Sequence, residues 1–164
     1  MEKHIISVLV EDKAGVLSKV VGLFARRGFN IDSLAVGNTS EEGLSRITII
    51  AAGDEYILEQ LTKQLNKLID IIKIKNLNDT DVVCRELALI KVTGLDRKSR
   101  LEIIQISNIF RGKIIDVANT SLTIEITGDG EKIDALHDMV SPYGRTEMVR
   151  TGAIALERGA QTIN

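Results

Sequence analysis

Apolar residues in this chain recur in two rhythms, one of period two and one near 3.6, and the switches between them divide it into elements. His4 to Val10 (HIISVLV) is β-branched and apolar on both faces, as a central strand is. Leu17, Val20, Val21 and Phe24 then recur at i, i+3, i+4 and i+7, the stripe of a helix lying on a core. The turn Asp12-Lys13-Ala14-Gly15 precedes it, with Asp12 placed to cap the helix. Arg26 and Arg27 sit where the helix dipole favours cations, and Gly28 offers the left-handed residue that ends a helix. Asn30 to Val36 alternates as a strand, with Ile31, Ser33 and Ala35 on one face and Asn30, Asp32, Leu34 and Val36 on the other. Gly37 to Gly43 is turn-rich. Leu44 to Ala52 is a further strand, broken by Gly53-Asp54, with Asp54 a candidate cap. Ile57 or Leu58, Leu61, Leu65 and Leu68 mark a second helix, and Ile69 to Leu77 alternates as a last strand.

The order is β-α-β-β-α-β, a ferredoxin-like unit. Asn76 to Asp81 is polar and turn-prone, and beyond it the order repeats. Glu86 to Thr93 is a strand, and Ser99 to Phe110 a helix with Ile103, Ile106 and Phe110 inward, stopped near Gly112. Lys113 to Val117 and Leu122 to Thr127 are strands. Gly128-Asp129 precedes a helix carrying Ile133, Leu136 and Val140, Pro142-Tyr143-Gly144 turns the chain into a strand at Thr146 to Thr151, and Ala153 to Leu156 adds a short one. The tail from Glu157 is expected to fray. Phe24-x3-Gly28-x2-Ile31-Asp32 echoes Phe110-x-Gly112-x2-Ile115-Asp116, but the second unit has no Asp-x-x-Gly turn. The expectation is an α+β protein of two ferredoxin-like βαββαβ units, residues 1–77 and 78–164. Each holds about 80 residues and alone buries only roughly 60% of its unfolded surface, with open sheet edges. Both facts favour self-association.

Composition narrows the function. The chain has 164 residues, 44% of them hydrophobic and 27% charged, as in an ordinary folded protein. Its net charge of −2 provides no electrostatic recruitment of nucleic acid or an anionic membrane. Aromatics make up 3%, so the strands lack the stacking residues of RNA-recognition modules, which share this order. No apolar run approaches the roughly 20 residues of a membrane span, and Met1-Glu2-Lys3-His4 does not open a signal peptide, so a cytoplasmic protein is expected. The single cysteine, Cys84, excludes an internal disulfide and a thiolate metal cluster; Arg85 beside it could lower its pKa. His4 and His137 have no serine, cysteine or carboxylate relay in view, and Glu41-Glu42 reads as a solvated turn. An acylphosphatase-type loop needs an arginine, which Asp12 to Leu17 lacks. No catalytic or metal-binding residue is assigned.

The Asp12–Leu17 turn and Asn30 offer a different chemistry. A helix start presents free N–H groups and a positive dipole end, and Gly15 leaves them open to close approach. A carboxylate can be held at Gly15, Val16 and Leu17, and an ammonium at Asp12 and the Asn30 amide oxygen, with Val16, Leu17 and Ile31 as apolar walls. Local chemistry by itself favours the plainer alternative, in which Asp12 only caps and Gly15 only turns.

Longer motifs bear on that choice. Asp12-Lys13-Ala14-Gly15-Val16-Leu17 resembles the Asp-x-Pro-Gly-x-Leu turn of the ACT domain, an amino-acid-sensing βαββαβ module, with Ala14 in place of the proline. Gly22 to Leu34 (GLFARRGFNIDSL), Leu44-Ser45-Arg46, Phe110 to Val117 (FRGKIIDV) and Arg150-Thr151-Gly152 resemble the regulatory small subunit of acetolactate synthase (acetohydroxyacid synthase) over nearly the whole chain. Asp12 stands where relatives often have asparagine. The resemblance implies a chain with no active site and no cofactor of its own. It would bind and activate a catalytic large subunit that uses thiamine diphosphate, Mg²⁺ and FAD. It would also confer feedback inhibition by valine, sometimes leucine or isoleucine, in branched-chain amino acid biosynthesis. It further implies a homodimer through ACT domains, whose sheets join into one of eight strands, with effectors at the interface. The effector residues would be Asp12, Ala14, Gly15, Val16, Leu17, Asn30 and Ile31, the turn of one subunit facing Asn30 and Ile31 of the other. Asp32, Arg46 and the hairpin from Gly37 to Leu44 are candidates for contact with the large subunit. The alternative is a free-standing ACT-type sensor that controls another enzyme.

Overall fold

The computed structural model describes residues 2–78 and 81–163. Met1, Asp79, Thr80 and Asn164, with the side chains of Glu2 and Ile57, lie outside the described set, and so does the middle of the expected linker. The elements are β1 (Glu2–Glu11), α1 (Val16–Arg26), β2 (Asn30–Asn38), β3 (Leu44–Gly53), α2 (Glu55–Leu65) and β4 (Ile71–Asn76). They continue with β5 (Val82–Thr93), α3 (Arg97–Ile109), β6 (Lys113–Val117), β7 (Ser121–Gly128), α4 (Gly130–Val140), β8 (Arg145–Arg150) and β9 (Ile154–Glu157). The first sheet runs β2-β3-β1-β4 and the second β6-β7-β5-β8, these neighbours all antiparallel, and β9 pairs with β5.

The chain forms two compact units, but not by one cut. The residues up to Val83 join those from Ala153 onward, and Cys84–Gly152 form the second unit between them. The expected fraying of the tail does not occur. Ile163 is only 5% exposed, and Arg158 gives its backbone N–H to Asp81 O at 2.8 Å and its Nε to the Asp81 carboxylate at 3.1 Å. A tail frays where nothing holds its backbone, and this one is held.

In the first unit Ile6, Val8 and Val10 of β1 and Ile47, Ile49 and Ala51 of β3 meet Val16, Val20 and Phe24 of α1 and Leu58, Leu61 and Leu65 of α2. The inward stripe of α1 is thus Val16, Val20 and Phe24, a single i, i+4 ridge; Leu17 lies outward at 40% exposure. Phe24 stacks edge-on against Phe29, with centroids 5.9 Å apart. Leu68 lies past the end of α2 yet still packs on the core. In the second unit Ala88, Ile90, Val92, Leu122, Ile124 and Ile126 pack against Ile103, Ile133, Leu136 and Val140.

Simple alternation fails in β2. Its register against β3 shifts between Ile31 and Ser33, so Ile31 opposes Ala51 and Leu34 opposes Ile49. A bulge leaves one residue, Asp32, outside the pairing and brings residues three apart onto one face. Ile31 and Leu34, expected on opposite faces, therefore both pack on the helix-side core, while Ser33 turns to the other side. β6 carries the corresponding bulge between Ile114 and Asp116.

The sheet face opposite the helices bears Ser7 and Leu9 of β1, Ser33 of β2, Arg46 and Thr48 of β3, and Lys75 of β4. The returning C-terminal segment lies across this face. Ala153 N–H donates to Ser33 Oγ at 2.8 Å, Arg46 Nη2 donates to Ala155 O at 2.9 Å, and Lys75 pairs with Glu157. Ser7, Leu9, Thr48, Ala153 and Ala155 are consequently buried.

Backbone approach is closest at Gly144, where a Cβ would stand 2.1 Å from Thr93 O, an atom of β5 beside the β5–β8 ladder. Gly144→Ala is expected to destabilise the protein by about 1–3 kcal/mol, because backbone cannot rotate away as a side chain can. Gly37→Ala, where a Cβ meets nothing within 4 Å, is the neutral control; urea unfolding of both variants measures the difference.

Candidate functional site

β1 hands the chain to α1 through a turn tied down on both sides. Glu11 N–H donates to Asp70 O (2.9 Å), Asp12 N–H to Gly43 O (2.8 Å) and Lys13 N–H to Glu11 O (2.9 Å). Lys19 donates to the buried Asp70 carboxylate at 2.7 Å, and Lys13 pairs with Glu11. That hydrogen bond from Lys19 holds the Asp70 carboxyl below its ordinary value, and Glu11 raises the Lys13 ammonium by hydrogen bond and charge.

Asp12 does not cap the helix. The capping position is Gly15, three residues on, at φ 86° with no side-chain bond to the helix. A side chain caps only from the residue next to the first turn, and Asp12 is too far back. The glycine is required for its left-handed backbone, since a Cβ there would touch nothing within 4 Å. Val16 N–H reaches Lys13 O at 3.3 Å, and Lys19 N–H to Gly15 O at 3.1 Å is the first helical bond. Leu17 and Ser18 N–H have no acceptor within the helix. α3 and α4 differ sharply. Asp96 accepts from Ser99 N–H at 2.7 Å and Asp129 from Lys132 N–H at 2.9 Å. The start of α1 is thus the one left without a side-chain cap, among these three.

The remaining candidate residues divide by exposure. Asp12, Ala14 and Gly15 face solvent with Leu17, whereas Val16 sends its side chain into the core and offers only its backbone. Asn30 is exposed and donates from Nδ2 to Asp32 at 2.9 Å; Ile31 is half-buried. α1, 11 residues long, separates Gly15 from Asn30 by roughly 16 Å. One chain therefore does not bring the two ends together around a single small ligand.

Other titratable groups are engaged elsewhere. Asn78 Oδ1 accepts from Ile5 N–H at 2.6 Å, which turns its amide NH₂ towards His4 Nδ1 (2.8 Å) and Lys3 O (3.0 Å). His4 is thereby left to donate from Nε2 to Gly53 O at 3.3 Å. His137 Nε2 meets Thr146 Oγ1 at 3.1 Å. The Cys84 thiol is pushed up by burial and by Glu86, against the smaller opposing pull of Arg85, so the activation suggested by that neighbour does not arise. Among the described residues no three His, Cys, Asp or Glu side chains group as metal ligands, and no helix is long and apolar enough to cross a membrane. Arg46 reaches back to Ala155 within its own chain instead of standing free. Sequence reading missed Asp70 as the partner of Lys19, and the cap at Asp96. The first pairing spans 51 residues and carries no local signal, whereas Asp96 three places before Ser99 was there to be read.

Fold and site together define the class: a two-unit α+β protein of ferredoxin-like βαββαβ order, the first unit an ACT domain. A family described as the AHAS small subunit-like ACT domain matches residues 6–73, and one described as the small subunit of acetolactate synthase matches residues 85–159. The probable acetolactate synthase small subunit of Methanothermobacter thermautotrophicus is 52% identical over 162 residues, 99% of this chain and 96% of that protein. The acetolactate synthase small subunit of Mycolicibacterium smegmatis is 51% identical over 160 residues, 98% of this chain and 94% of that one. The crystal structure of the small subunit from Thermotoga maritima superposes with a TM-score of 0.88 at 42% identity, covering 98% of this chain and all of the other. The chain belongs to the acetolactate synthase small-subunit family, the regulatory partners of a catalytic subunit.

Asp70 gives the turn a pH signature. Its folded pKa lies below the ordinary 3.8, so its contribution is complete above that value and is lost as pH falls through the lower, folded one. Melting temperatures recorded from pH 6 to pH 2 should fall less steeply for Asp70→Asn than for the wild type, which starts from the higher stability.

Proposed function

We propose that this chain is a non-catalytic regulatory subunit that activates the acetolactate synthase catalytic subunit and makes it sensitive to valine. The observation that carries this reading is the uncapped start of α1. α3 and α4 spend an aspartate on their first-turn N–H groups, whereas α1 leaves Leu17 and Ser18 N–H open beside a left-handed Gly15 with clear space in front. A valine carboxylate suits those donors and the positive dipole end. Its ammonium suits Asp12 and the Asn30 amide oxygen, and its isopropyl group suits Leu17 and Ile31. Because Asn30 lies at the far end of α1, the site is completed by a second copy. The first unit, built on residues 1–77, is then the sensing and dimerising domain, β2 its joining edge, and residues 78–164 the remainder of the regulatory subunit. Thiamine diphosphate, Mg²⁺ and FAD serve the catalytic subunit and are not held by this chain, which works in the cytoplasm.

Valine bridging two subunits stabilises one dimer arrangement, and the attached enzyme responds to it. A coupling of about 1–3 kcal/mol changes enzyme activity or affinity roughly 5- to 150-fold. Affinity capture of the tagged chain should bring down a large thiamine-dependent subunit, and calorimetry should register valine uptake at millimolar concentration or below. No heat at millimolar valine refutes the effector assignment.

Gly15→Asp places a negative charge at the carboxylate position. Asn tolerates the left-handed backbone as Asp does, so Gly15→Asn controls for strain and bulk. The aspartate variant should bind valine at least about tenfold more weakly than the asparagine variant, a difference of roughly 1.4 kcal/mol, while both still activate the enzyme. Loss of activation in both would mean that the turn serves the fold alone.

A further inference from the structure

We propose that the segment from Ala153 onward is a strap that transmits strain between the second unit and the effector strand β2, with Ser33, Arg46 and Lys75 as its anchor points. This rests on the effector assignment of Asn30 and Ile31 for its biological meaning, but its mechanics are independent of it.

The chain path creates the device. The second unit leaves the first at Val83 and returns at Ala153, so it is attached by two covalent joints. The second joint follows Gly152, a left-handed glycine at φ 83°. The first residue past that joint is already pinned, Ala153 N–H to Ser33 Oγ at 2.8 Å. Two residues on, Ala155 O accepts from Arg46 of β3 at 2.9 Å. Two further, the Glu157 carboxylate pairs with Lys75 of β4, with the two side chains 6% and 24% exposed. The strap therefore crosses the sheet from the β2 edge to the β4 edge, one side-chain anchor every second residue, as an extended segment does, while its own strand β9 pairs with β5. Ala153 and Ala155 face the sheet, while Ile154 and Leu156 face outward.

The anchor at Ser33 lies where β2 is least constrained. Asp32 is the residue outside the ladder, and Ser33 is the first to re-enter it. Bulges bend a strand and re-aim neighbouring side chains, and Asn30 and Ile31 stand immediately before this one. A pull at Gly152 thus reaches Ser33 through one hydrogen bond and Asn30 and Ile31 through the bulge. The far end is fixed firmly, because breaking a buried ion pair leaves each charge uncompensated. Burial also pushes the Arg46 guanidinium below its usual range, partly offset by the Glu157 charge, so the middle anchor favours a carboxylate held close.

The test uses the full chain, alone and with its catalytic subunit. Ser33→Ala removes the first anchor and Ser33→Thr keeps the hydroxyl; Glu157→Gln removes the last, and Glu157→Asp keeps its carboxylate. Ser33→Ala and Glu157→Gln should bind valine within about twofold of wild type in the isolated subunit, yet lose about fivefold or more of the valine effect on the complex. Ser33→Thr and Glu157→Asp should retain it. Inhibition unchanged in Ser33→Ala and Glu157→Gln, or binding and inhibition lost together, overturns the strap. A wild-type chain that takes up no valine refutes the effector assignment instead. The strap is then judged by hydrogen exchange without ligand, where Glu157→Gln should deprotect residues 30–36 as well as 153–158. Deprotection confined to 153–158 overturns it.

Discussion

A strand that is apolar on both faces must be covered on both, and β1 sets that requirement for the first unit. Ile6, Val8 and Val10 point to one side, Ser7 and Leu9 to the other, and all are buried. Two amphipathic helices cover the first side because the βαββαβ order places both crossovers there. Nothing in that order covers the second side. The chain meets the need by returning after an entire second unit and laying an extended segment across it. The split composition of the first unit follows from this one demand.

The start of α1 is arranged with comparable economy. Its backbone is fixed by hydrogen bonds from Glu11, Asp12 and Lys13 to neighbouring strands and turns, and by Lys19 on Asp70. With the turn held by those bonds, the first-turn donors need not also be satisfied by a side chain. The second unit caps both of its helices with aspartate. Two copies of one fold thus differ at the start of the first helix, which has no side-chain cap in one and an aspartate cap in the other.

Bulges decide what each edge strand presents. In β2 the bulge turns Leu34 inward with Ile31 and frees Ser33 for the returning segment. A regular strand would have placed Ser33 beside Ile31 on the core side, where its hydroxyl would have cost stability and reached nothing of the tail. One unpaired residue therefore links β2 to the chain's end.

Much of this was legible in the amino acids. Periods of 2 and 3.6, and Gly28 and Asp129 at helix ends, follow from local sterics and local hydrogen bonds, which depend on neighbours in sequence. Asp12 misled because a capping residue type stood near a helix start, while the left-handed Gly15 between them moved the start onward. The bulge at Asp32, the Lys19–Asp70 bond, and the partial burial of Arg46, Lys75 and Glu157 beneath or within the returning segment were not legible. Each depends on groups tens of residues apart being brought within a few ångströms, and the energies that reward them exist only once the sheet has formed. The elements were thus determined by the sequence near each residue. Which charges are hidden, which strand kinks and what covers the open face of β1 were decided by the tertiary structure, because apolar area and buried charge must be satisfied by whatever the folded chain places beside them.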